Sequence, residues 1–145
     1  MSGIEIREAV RADAPRLAAL AAQLGYPCDE AFVRERMGRY LGASDRVILV
    51  ADSGGQAVAW TSMEVVDHFY TETCVELSGF VVDEELRGRG VGAALMSAAE
   101  AWARGGGHRL LRLRTNVIRA GARLFYERLG FENAKEQIVY SKRVR

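Results

Sequence analysis

The stretch from Val82 to Ala93 contains residues whose types and spacing suit the binding of an anion. Two arginines and three glycines are interleaved within it: Arg87, Gly88, Arg89, Gly90 and Gly92. Glycine lets the backbone approach a ligand without an intervening Cβ, and a guanidinium is a fork-shaped donor suited to phosphate. Apolar residues repeat at helical spacing from Val91 onward, so the amides of a helix N-terminus would point to the same place. The stretch therefore predicts a cradle for a pyrophosphate group.

Three interpretations of this turn compete. It could be a basic loop that binds no ligand. Gly88-x-Gly90-x-x-Ala93 also matches the fingerprint of dinucleotide-binding folds. Against that interpretation, polar residues separate the glycines from the preceding strand, and the next strand does not end in the expected acidic residue. A P-loop is excluded, because no Gly-Lys-Ser/Thr follows.

The third interpretation is a resemblance to a known family. Arg87-x-x-Gly90-x-Gly92, preceded by Val82-Asp83, resembles the Arg/Gln-x-x-Gly-x-Gly/Ala signature of GNAT acetyltransferases. The resemblance implies that the turn holds the pyrophosphate of acetyl-CoA, and that the pantetheine arm lies where the preceding strand splays from the next. It implies that the backbone of two residues pairs with that arm and the thioester carbonyl, Val81 and Val82. The cofactor-binding residues predicted in this region are Val81, Val82, Arg87, Gly88, Arg89, Gly90, Val91 and Gly92.

A second stretch resembles another GNAT signature near the C-terminus, with the pattern Asn116-x-x-Arg119-x-x-Ala122-Arg123-x-Phe125-Tyr126-Glu127-x-x-Gly130-Phe131. The resemblance is specific over residues 74–131 and adds Asn116 and Arg119 to the predicted cofactor site. It also implies that Tyr126 protonates the departing CoA thiolate, which a tyrosine hydroxyl can do while staying neutral at physiological pH. The alternative is a packing role, because Tyr126 also falls on the apolar stripe of its predicted helix.

Glu76 is the candidate base for the attacking amine. It lies on the strand that leads into the cradle, and two-residue periodicity predicts that it shares a face with Ser78 and Phe80. A carboxylate in such a cleft could take the proton directly or through water. The alternatives are a salt-bridged strand residue and a chain of water molecules with no protein base.

The elements that position these residues follow from apolar periodicity and turn signals. The predicted order is β-α-α-β-β-β-α-β-α-β. The predicted elements are a strand over 4–10, a helix with Asp13 as N-cap, a helix over 29–41, strands over 47–51, 56–66 and 73–83, a helix from Val91 to the glycines at 105–107, a strand over 109–115, a helix over 120–129 and an extended segment over 132–142. Hairpins in the first half predict antiparallel pairing, and the later β-α-β crossover predicts a parallel pair. The fold class is therefore α/β (α+β), with a GNAT-like, mostly antiparallel central sheet flanked by helices and a splayed parallel strand pair.

Composition restricts the class of protein. The chain has 145 residues and a formal net charge of +1, which predicts one domain over residues 1–145 and no nucleic-acid partner. No apolar stretch approaches the ~18–20 residues that cross a bilayer, and the N-terminus lacks the features of a signal peptide, so the expectation is a cytoplasmic protein without a membrane partner. The cysteines and histidines lack metal-ligand spacing, so no metal is expected.

The resemblance thus implies acetyl transfer from acetyl-CoA to a primary amine of a small molecule or peptide by direct attack. The alternative is a non-catalytic acyl-CoA-binding sensor or regulatory module, whose cradle would look the same. Analogy with the family also allows a homodimer. It places the acceptor between residues 24–44 and 132–142, with aromatic candidates Tyr26, Tyr40, Phe69 and Tyr70 and acidic candidates Asp67, Glu72 and Glu76. These features fit a polyamine, an aminoglycoside, an amino acid or a peptide amine equally well.

Overall fold

The computed structural model describes residues 3–115 and 120–145. These residues divide into two compact units, Met1–Leu113 and Arg114–Arg145. The single domain expected over residues 1–145 stays a prediction.

A five-stranded sheet in the order β1-β2-β3-β4-β5 forms the centre of the first unit. The strands are β1 (Ile4–Glu8), β2 (Arg46–Ser53), β3 (Gln56–Val66), β4 (Cys74–Val82) and β5 (Leu111–Leu113). Neighbours from β1 to β4 are antiparallel, whereas β4 and β5 are parallel. The mixed sheet and the parallel pair confirm the prediction from the hairpins and the crossover. β5 is shorter than predicted, because only its central residues pair with β4.

Three helices of the first unit cover the sheet: α1 (Ala14–Gln23), α2 (Glu30–Met37) and α3 (Val91–Gly105). The apolar residues of α1 and α2 join β2 and β3 in one cluster of buried side chains, which includes Leu17, Met37, Ile48 and Val50. The alternate β2 residues are buried as well, so the opposite face of the sheet is also covered, and α3 packs on β2 and β3. A strand buried on both faces is typical of a sheet between two layers of helices.

Asp13 does not have the role predicted for it. It precedes α1, but its backbone is helical and its side chain makes no hydrogen bond to the start of that helix. Its carboxylate instead accepts hydrogen bonds from the Val10 amide (2.8 Å) and from the Arg7 guanidinium (2.8 and 2.9 Å). Arg7 also donates to Asp52 at 2.9 Å. The Asp13 side chain therefore caps the short 3-10 turn before α1 and links that turn to β1 and β2.

The second unit contains α4 (Ala120–Arg128). The chain turns after this helix at Gly130, which has a φ of +94°. The described residues from 131 to 145 form neither helix nor strand, so the strand expected over 132–142 is not formed. An alternating sequence fits a strand, but a strand exists only where a neighbour accepts its backbone hydrogen bonds, and the described part of this unit contains no other strand.

Three further properties concern disulfides, membrane-spanning helices and metal sites. Neither Cys28 nor Cys74 forms a disulfide. Among the described residues, no helix combines the length and apolar character needed to cross a membrane. The same residues contain no group of three or more His, Cys, Asp or Glu side chains that could hold a metal ion.

Candidate functional site

The turn between β4 and α3 has the backbone geometry of an anion site. Gly88 and Gly90 have φ values of +79° and +85°, in the left-handed region that favours glycine. A Cβ built on either glycine would meet no other atom within 4 Å. The backbone therefore borders open space at both positions, which is what close approach of a ligand requires. We call the segment from Arg87 to Gly92 the cradle.

The N-terminus of α3 completes the cradle. Gly90 is the N-cap residue, and Ala94 N donates to Gly90 O at 3.1 Å as the first bond of the helix. The amides of Val91, Gly92 and Ala93 precede that bond and have no acceptor within the helix. Gly90 supplies no side chain to cap them. These amides and the helix dipole together favour a bound phosphate.

The arginines of the cradle lie at the surface. Arg87 and Arg89 are both exposed, and Arg87 Nε donates to the Val82 carbonyl at 3.2 Å. This bond folds the Arg87 guanidinium back against the end of β4. The other two predicted cofactor residues, Asn116 and Arg119, lie outside the described residues, and their roles stay predictions.

Side chains of α1 hold the start of this turn. Arg16 donates to the Asp83 carboxylate at 3.2 Å and to the Ala57 carbonyl at 3.0 Å, and Gln23 Oε1 accepts from the Glu84 amide at 2.9 Å. The amide of the next residue, Glu85, donates to Asp83, and this bond together with Arg16 lowers the pKa of Asp83. Arg16 and Gln23 could not be predicted from local sequence patterns, because their partners are 41 to 67 residues away along the chain.

The described pairing between β4 and β5 covers only part of β4. They pair only where Val75–Leu77 faces Leu111–Leu113, whereas β4 continues to Val82. On its other side, β4 stays paired with β3 through Val81 and Val82. The described pairing of β4 with β5 thus ends at Leu77, before the β4 residues that lead into the cradle. The splay of the parallel pair stays a prediction.

A β-bulge interrupts β4 just after the segment that pairs with β5. Ser62 on β3 pairs with Gly79, and the next β3 residue, Met63, pairs with Leu77. Ser78 is thus the extra residue of the bulge. Its hydroxyl lies 2.8 Å from the Ser62 hydroxyl, so the two serines lie on the same face of the sheet.

The bulge corrects the predicted neighbours of Glu76. Glu76 pairs with Glu64, whereas Phe80 pairs with Thr61. Thr61 and Glu64 lie on opposite faces of β3, because strand side chains alternate and the two residues are an odd number of positions apart. Phe80 therefore does not share a face with Glu76, although Ser78 does. Simple alternation fails here because the extra residue reverses the faces of everything that follows it.

Glu76 belongs to a row of charged side chains that crosses the sheet. The direct cross-strand neighbours are Arg46, Glu64, Glu76 and Arg112. Arg46 lies 3.5 Å from Glu64 and Arg112 lies 3.1 Å from Glu76, and these ion pairs offset the repulsion between the facing carboxylates. The Glu76 side chain is only 13% exposed. It is a salt-bridged strand residue, and its role as a base stays a prediction.

Tyr126 lies in the last turn of α4 in the second unit. Phe131 N donates to Tyr126 O and Gly130 N donates to Glu127 O, both at 3.1 Å, which is the pattern of a Schellman motif. The Tyr126 ring packs edge-on against Phe131, with ring centroids 5.9 Å apart. The motif and this contact fix the position of the half-buried tyrosine. Its role as a proton donor stays a prediction.

Comparison with known proteins identifies the family. The model of the acetyltransferase (GNAT) family matches residues 9–131. The chain belongs to the GNAT family. Aminoglycoside N(6′)-acetyltransferase type 1 of Stenotrophomonas maltophilia is 30% identical over 139 residues, which cover 93% of this chain and 90% of that protein. An uncharacterized N-acetyltransferase of Methanocaldococcus jannaschii is 33% identical over 85 residues, which are 57% of this chain and 38% of that longer protein.

Solved structures agree with this assignment at the level of the fold. The enzyme AAC(6′)-Iy, solved with the bisubstrate analogue CoA-S-monomethyl-acetylneamine, superposes with a TM-score of 0.86 at 23% identity. The match covers 99% of this chain and 100% of that one. The GNAT resemblance read from the two signatures is confirmed, and as a member of this family the protein is an N-acetyltransferase.

The first unit of this GNAT protein also contains a cavity of about 280 Å³ between α1, α2 and the sheet. We call it the α1–α2 cavity. Of the four aromatic residues expected around the acceptor, Tyr40 lines it. The other three are exposed and do not line it: Tyr26, Phe69 and Tyr70.

Trp60 connects the α1–α2 cavity with β4. Its indole lines the cavity, and its Nε1 donates to the Leu17 carbonyl at 3.2 Å. A Cβ built on Gly79 would lie 2.7 Å from the indole ring, so glycine at this position lets the ring lie across the bulge. The sequence analysis did not identify Trp60 or Gly79, because neither belongs to a signature and their contact depends on the register of β3 and β4.

Proposed function

We propose that this GNAT protein transfers the acetyl group of acetyl-CoA to a primary amine of a small molecule or peptide by direct attack. The observation that carries the proposal is the cradle. Left-handed Gly88 and Gly90 lie beside open space at the N-terminus of α3, which has no side-chain cap. Such an arrangement suits a pyrophosphate, and Arg87 and Arg89 add positive charge. The family match supports the same assignment.

Residues of β4 and Tyr126 of α4 would carry out the chemistry. Acetyl-CoA supplies an activated acetyl thioester. The backbone of Val81 and Val82 orients that group and polarises its carbonyl, an oxyanion-type role. The amine nitrogen bonds to the acetyl carbon as the carbon–sulfur bond breaks. The amine gives its proton to Glu76 or to water, and Tyr126 protonates the thiolate.

Calorimetric titration with acetyl-CoA tests the cradle. We expect Gly90→Asp to weaken binding by at least roughly 100-fold, about 2.7 kcal/mol, because it places a carboxylate where the phosphates bind. Gly107→Asp is the matched control, since Gly107 lies just beyond the other end of α3 with a nearly identical φ of +83°. Both variants carry the same backbone strain, so equal loss of affinity in the two would contradict the cradle. Failure of folded wild type to bind acetyl-CoA would contradict the whole proposal.

Steady-state kinetics test the catalytic roles. We expect Tyr126→Phe to lower kcat by roughly 100-fold, the scale of general acid catalysis, without weakening acetyl-CoA binding. Glu76→Gln keeps the shape of the side chain and its contact with Arg112. If Glu76 is the base, this variant loses the acidic limb of the pH profile of kcat. A profile of unchanged shape would assign that proton to water instead. The non-catalytic sensor predicts no turnover in any variant or in wild type.

A further inference from the structure

We infer that the acceptor amine carries an anionic group, a carboxylate or a phosphate, on an apolar body, and that the α1–α2 cavity binds it. The inference rests on the proposed function, because it concerns the second substrate of the same reaction. Three properties of the cavity support it: its position, the character of its walls and the charges around it.

The cavity lies beside the part of β4 assigned to the thioester. Trp60 and Ser62 line it from β3, and in the sheet Trp60 pairs with Val81 and Ser62 pairs with Gly79. The Trp60 ring crosses towards Gly79, and the Ser62 hydroxyl touches the hydroxyl of Ser78 in the bulge. A molecule in this cavity therefore lies on β3, one strand away from the β4 residues to which the thioester is assigned.

The walls of the cavity are largely apolar. Aliphatic side chains of α1, α2 and β2 line it, among them Leu17, Met37 and Ile48. Aromatic rings contribute further surface, with Phe32 and Tyr40 near its rim. Burial of apolar surface favours binding by roughly 25 cal/mol per Å², so these walls favour an acceptor with an aliphatic or aromatic body over a sugar.

The charged groups that line the cavity are all cationic. Three arginines line it, Arg36, Arg39 and Arg46, whereas no aspartate or glutamate does so. The guanidinium of Arg36 lies 4.8 Å from the Phe32 ring centroid, and that of Arg46 lies 5.5 Å from the Tyr40 ring centroid. These cation–π contacts hold two of the three charges against the aromatic walls.

Nearby carboxylates only partly neutralise these arginines. Arg36 and Arg39 share the carboxylate of Glu35, at 3.5 and 2.9 Å, so two cations face one anion. Arg46 pairs with Glu64 at 3.5 Å. Farther along the same row of the sheet, Glu76 is already paired with Arg112. The remaining positive charge favours a carboxylate or phosphate, which guanidinium groups bind with charge-assisted hydrogen bonds.

The same charges disfavour a polycation. An aminoglycoside carries several ammonium groups, and the cavity would place them beside three guanidinium groups without a lining carboxylate. Like charges repel each other, and the exposure of these arginine side chains weakens that repulsion without reversing it. This chain therefore differs in acceptor preference from the relative named as an aminoglycoside acetyltransferase, although the two share 30% identity.

Matched acceptor pairs test the inference. Release of CoA thiol is measured with L-phenylalanine against phenylalaninamide, with tyramine O-phosphate against tyramine, and with kanamycin as the polycation. We expect kcat/KM to be at least roughly 10-fold higher for the member of a pair that carries the carboxylate or phosphate than for the member that lacks it. This ratio corresponds to about 1.4 kcal/mol. Kanamycin should be the poorest acceptor. The two pairs separate a carboxylate preference from a phosphate preference.

Arginine variants assign the preference to the cavity. We expect the double variant Arg36→Gln, Arg39→Gln to raise KM for the anionic acceptor by roughly 10-fold and to change KM for its neutral partner by less than about 2-fold. Arg34→Gln is the matched control, because Arg34 lies on α2, as Arg36 does, and pairs with Glu30 without lining the cavity. Equal changes for both members of a pair, or a preference for kanamycin, would overturn the inference.

A binding measurement covers the case in which no probe is acetylated. Trp60 and Trp102 are the two tryptophans of the chain, so Trp102→Phe makes Trp60 the reporter of the cavity. Anionic probes should change its fluorescence, and neutral partners should require higher concentrations. If acetyl-CoA binds but no anionic probe affects Trp60, the inference fails and the proposed function stands. If acetyl-CoA does not bind, the proposed function fails.

Discussion

The cradle and the α1–α2 cavity lie on neighbouring parts of one sheet, but backbone groups form the first and side chains form the second. The cradle consists mainly of backbone, with two left-handed glycines and the first amides of α3. The cavity consists of side chains from two helices and two strands, and arginines supply its charge. A backbone site depends on the conformation of a short segment. A side-chain site depends on the register and packing of elements that are far apart in sequence.

Because of this difference, the cradle could be predicted from the sequence, whereas the cavity could not. A backbone site requires glycine where a Cβ would block the ligand or where φ must be positive. Its requirements therefore appear as a short sequence pattern. A side-chain site can change its charge or shape without changing the fold. One member of the family can therefore share its cofactor site with a relative and still accept a different amine.

The largest expected effect comes from substituting alanine for glycine beside the cavity. Gly79→Ala should destabilise the protein by about 1–3 kcal/mol, the range for overpacking, because the new Cβ would lie 2.7 Å from the Trp60 ring. The Trp60→Leu background removes that ring and should reduce the effect of Gly79→Ala to within about 0.5 kcal/mol. Urea unfolding of the four proteins in the cycle measures the coupling.

The same substitution in the cradle provides the contrast. Gly88→Ala adds a Cβ that meets no atom within 4 Å, so its effect comes only from the positive φ, roughly 1–2 kcal/mol. Backbone strain does not depend on a distant side chain. The effect of Gly88→Ala should therefore be the same in the Trp60→Leu background. Coupling of equal size at both glycines would break the distinction between a backbone site and a side-chain site.

The fold was largely predictable from short-range patterns. The hairpin turn at Gly54-Gly55 set the start of β3, whose bounds match the prediction. The apolar stripe predicted for the second helix packs against the core as expected. These features depend on residues that are close in sequence, through turn conformation and helical periodicity.

Features that depend on pairing between strands could not be predicted in the same way. The bulge at Ser78 adds one residue to β4, and Glu76-x-Ser78-x-Phe80 still has the alternation of a regular strand. Asp13 had the sequence position of an N-cap, but its partner Arg7 lies on β1 and keeps it in a different network. Arg36 of α2 and Arg39 beyond its end line the cavity, a role that no local sequence pattern indicates.

Acidification should remove stabilisation at two carboxylates, Asp13 before α1 and Asp83 at the start of the turn that contains the cradle. The Arg7 guanidinium holds the pKa of Asp13 below its ordinary value, and the Glu85 amide together with Arg16 does the same for Asp83. A carboxylate with a lowered folded pKa stabilises the protein above its unfolded pKa of about 3.9, and that stabilisation is lost as the pH falls through the folded value. Stability from both groups should thus be constant near neutrality and decline below about pH 4.

Asparagine variants separate the two contributions. Asp13→Asn, which affects the start of α1, should destabilise the protein at pH 7 by about 1–3 kcal/mol, since Asp13 is buried and accepts three hydrogen bonds. Asp83→Asn, which affects the cradle, should have a smaller effect, because its bonds are longer and nearer the solvent. Urea unfolding at pH 7 and pH 3 measures both. A difference from wild type that persists undiminished at pH 3 would rule out the carboxylate charge as the cause.

The smallest expected effect concerns the hydroxyl contact between the two sites. Ser62 lines the cavity, and its hydroxyl meets that of Ser78 in the bulge at 2.8 Å. Ser62→Ala should destabilise the protein by about 0.5–1 kcal/mol and change the KM of the acceptor by less than roughly 5-fold, since 1 kcal/mol corresponds to that factor. Acetyl-CoA affinity should not change, because the cradle binds through amides at the far end of β4. Ser78→Ala should have a somewhat larger effect, because it also removes the bond from the Ser78 hydroxyl to the Ser62 carbonyl at 3.3 Å, and adding Ser62→Ala to it should change nothing further. A change in acetyl-CoA affinity in the Ser62 variant would show that the bulge transmits the state of the cavity to the cradle, and the two sites would then have to be treated as one.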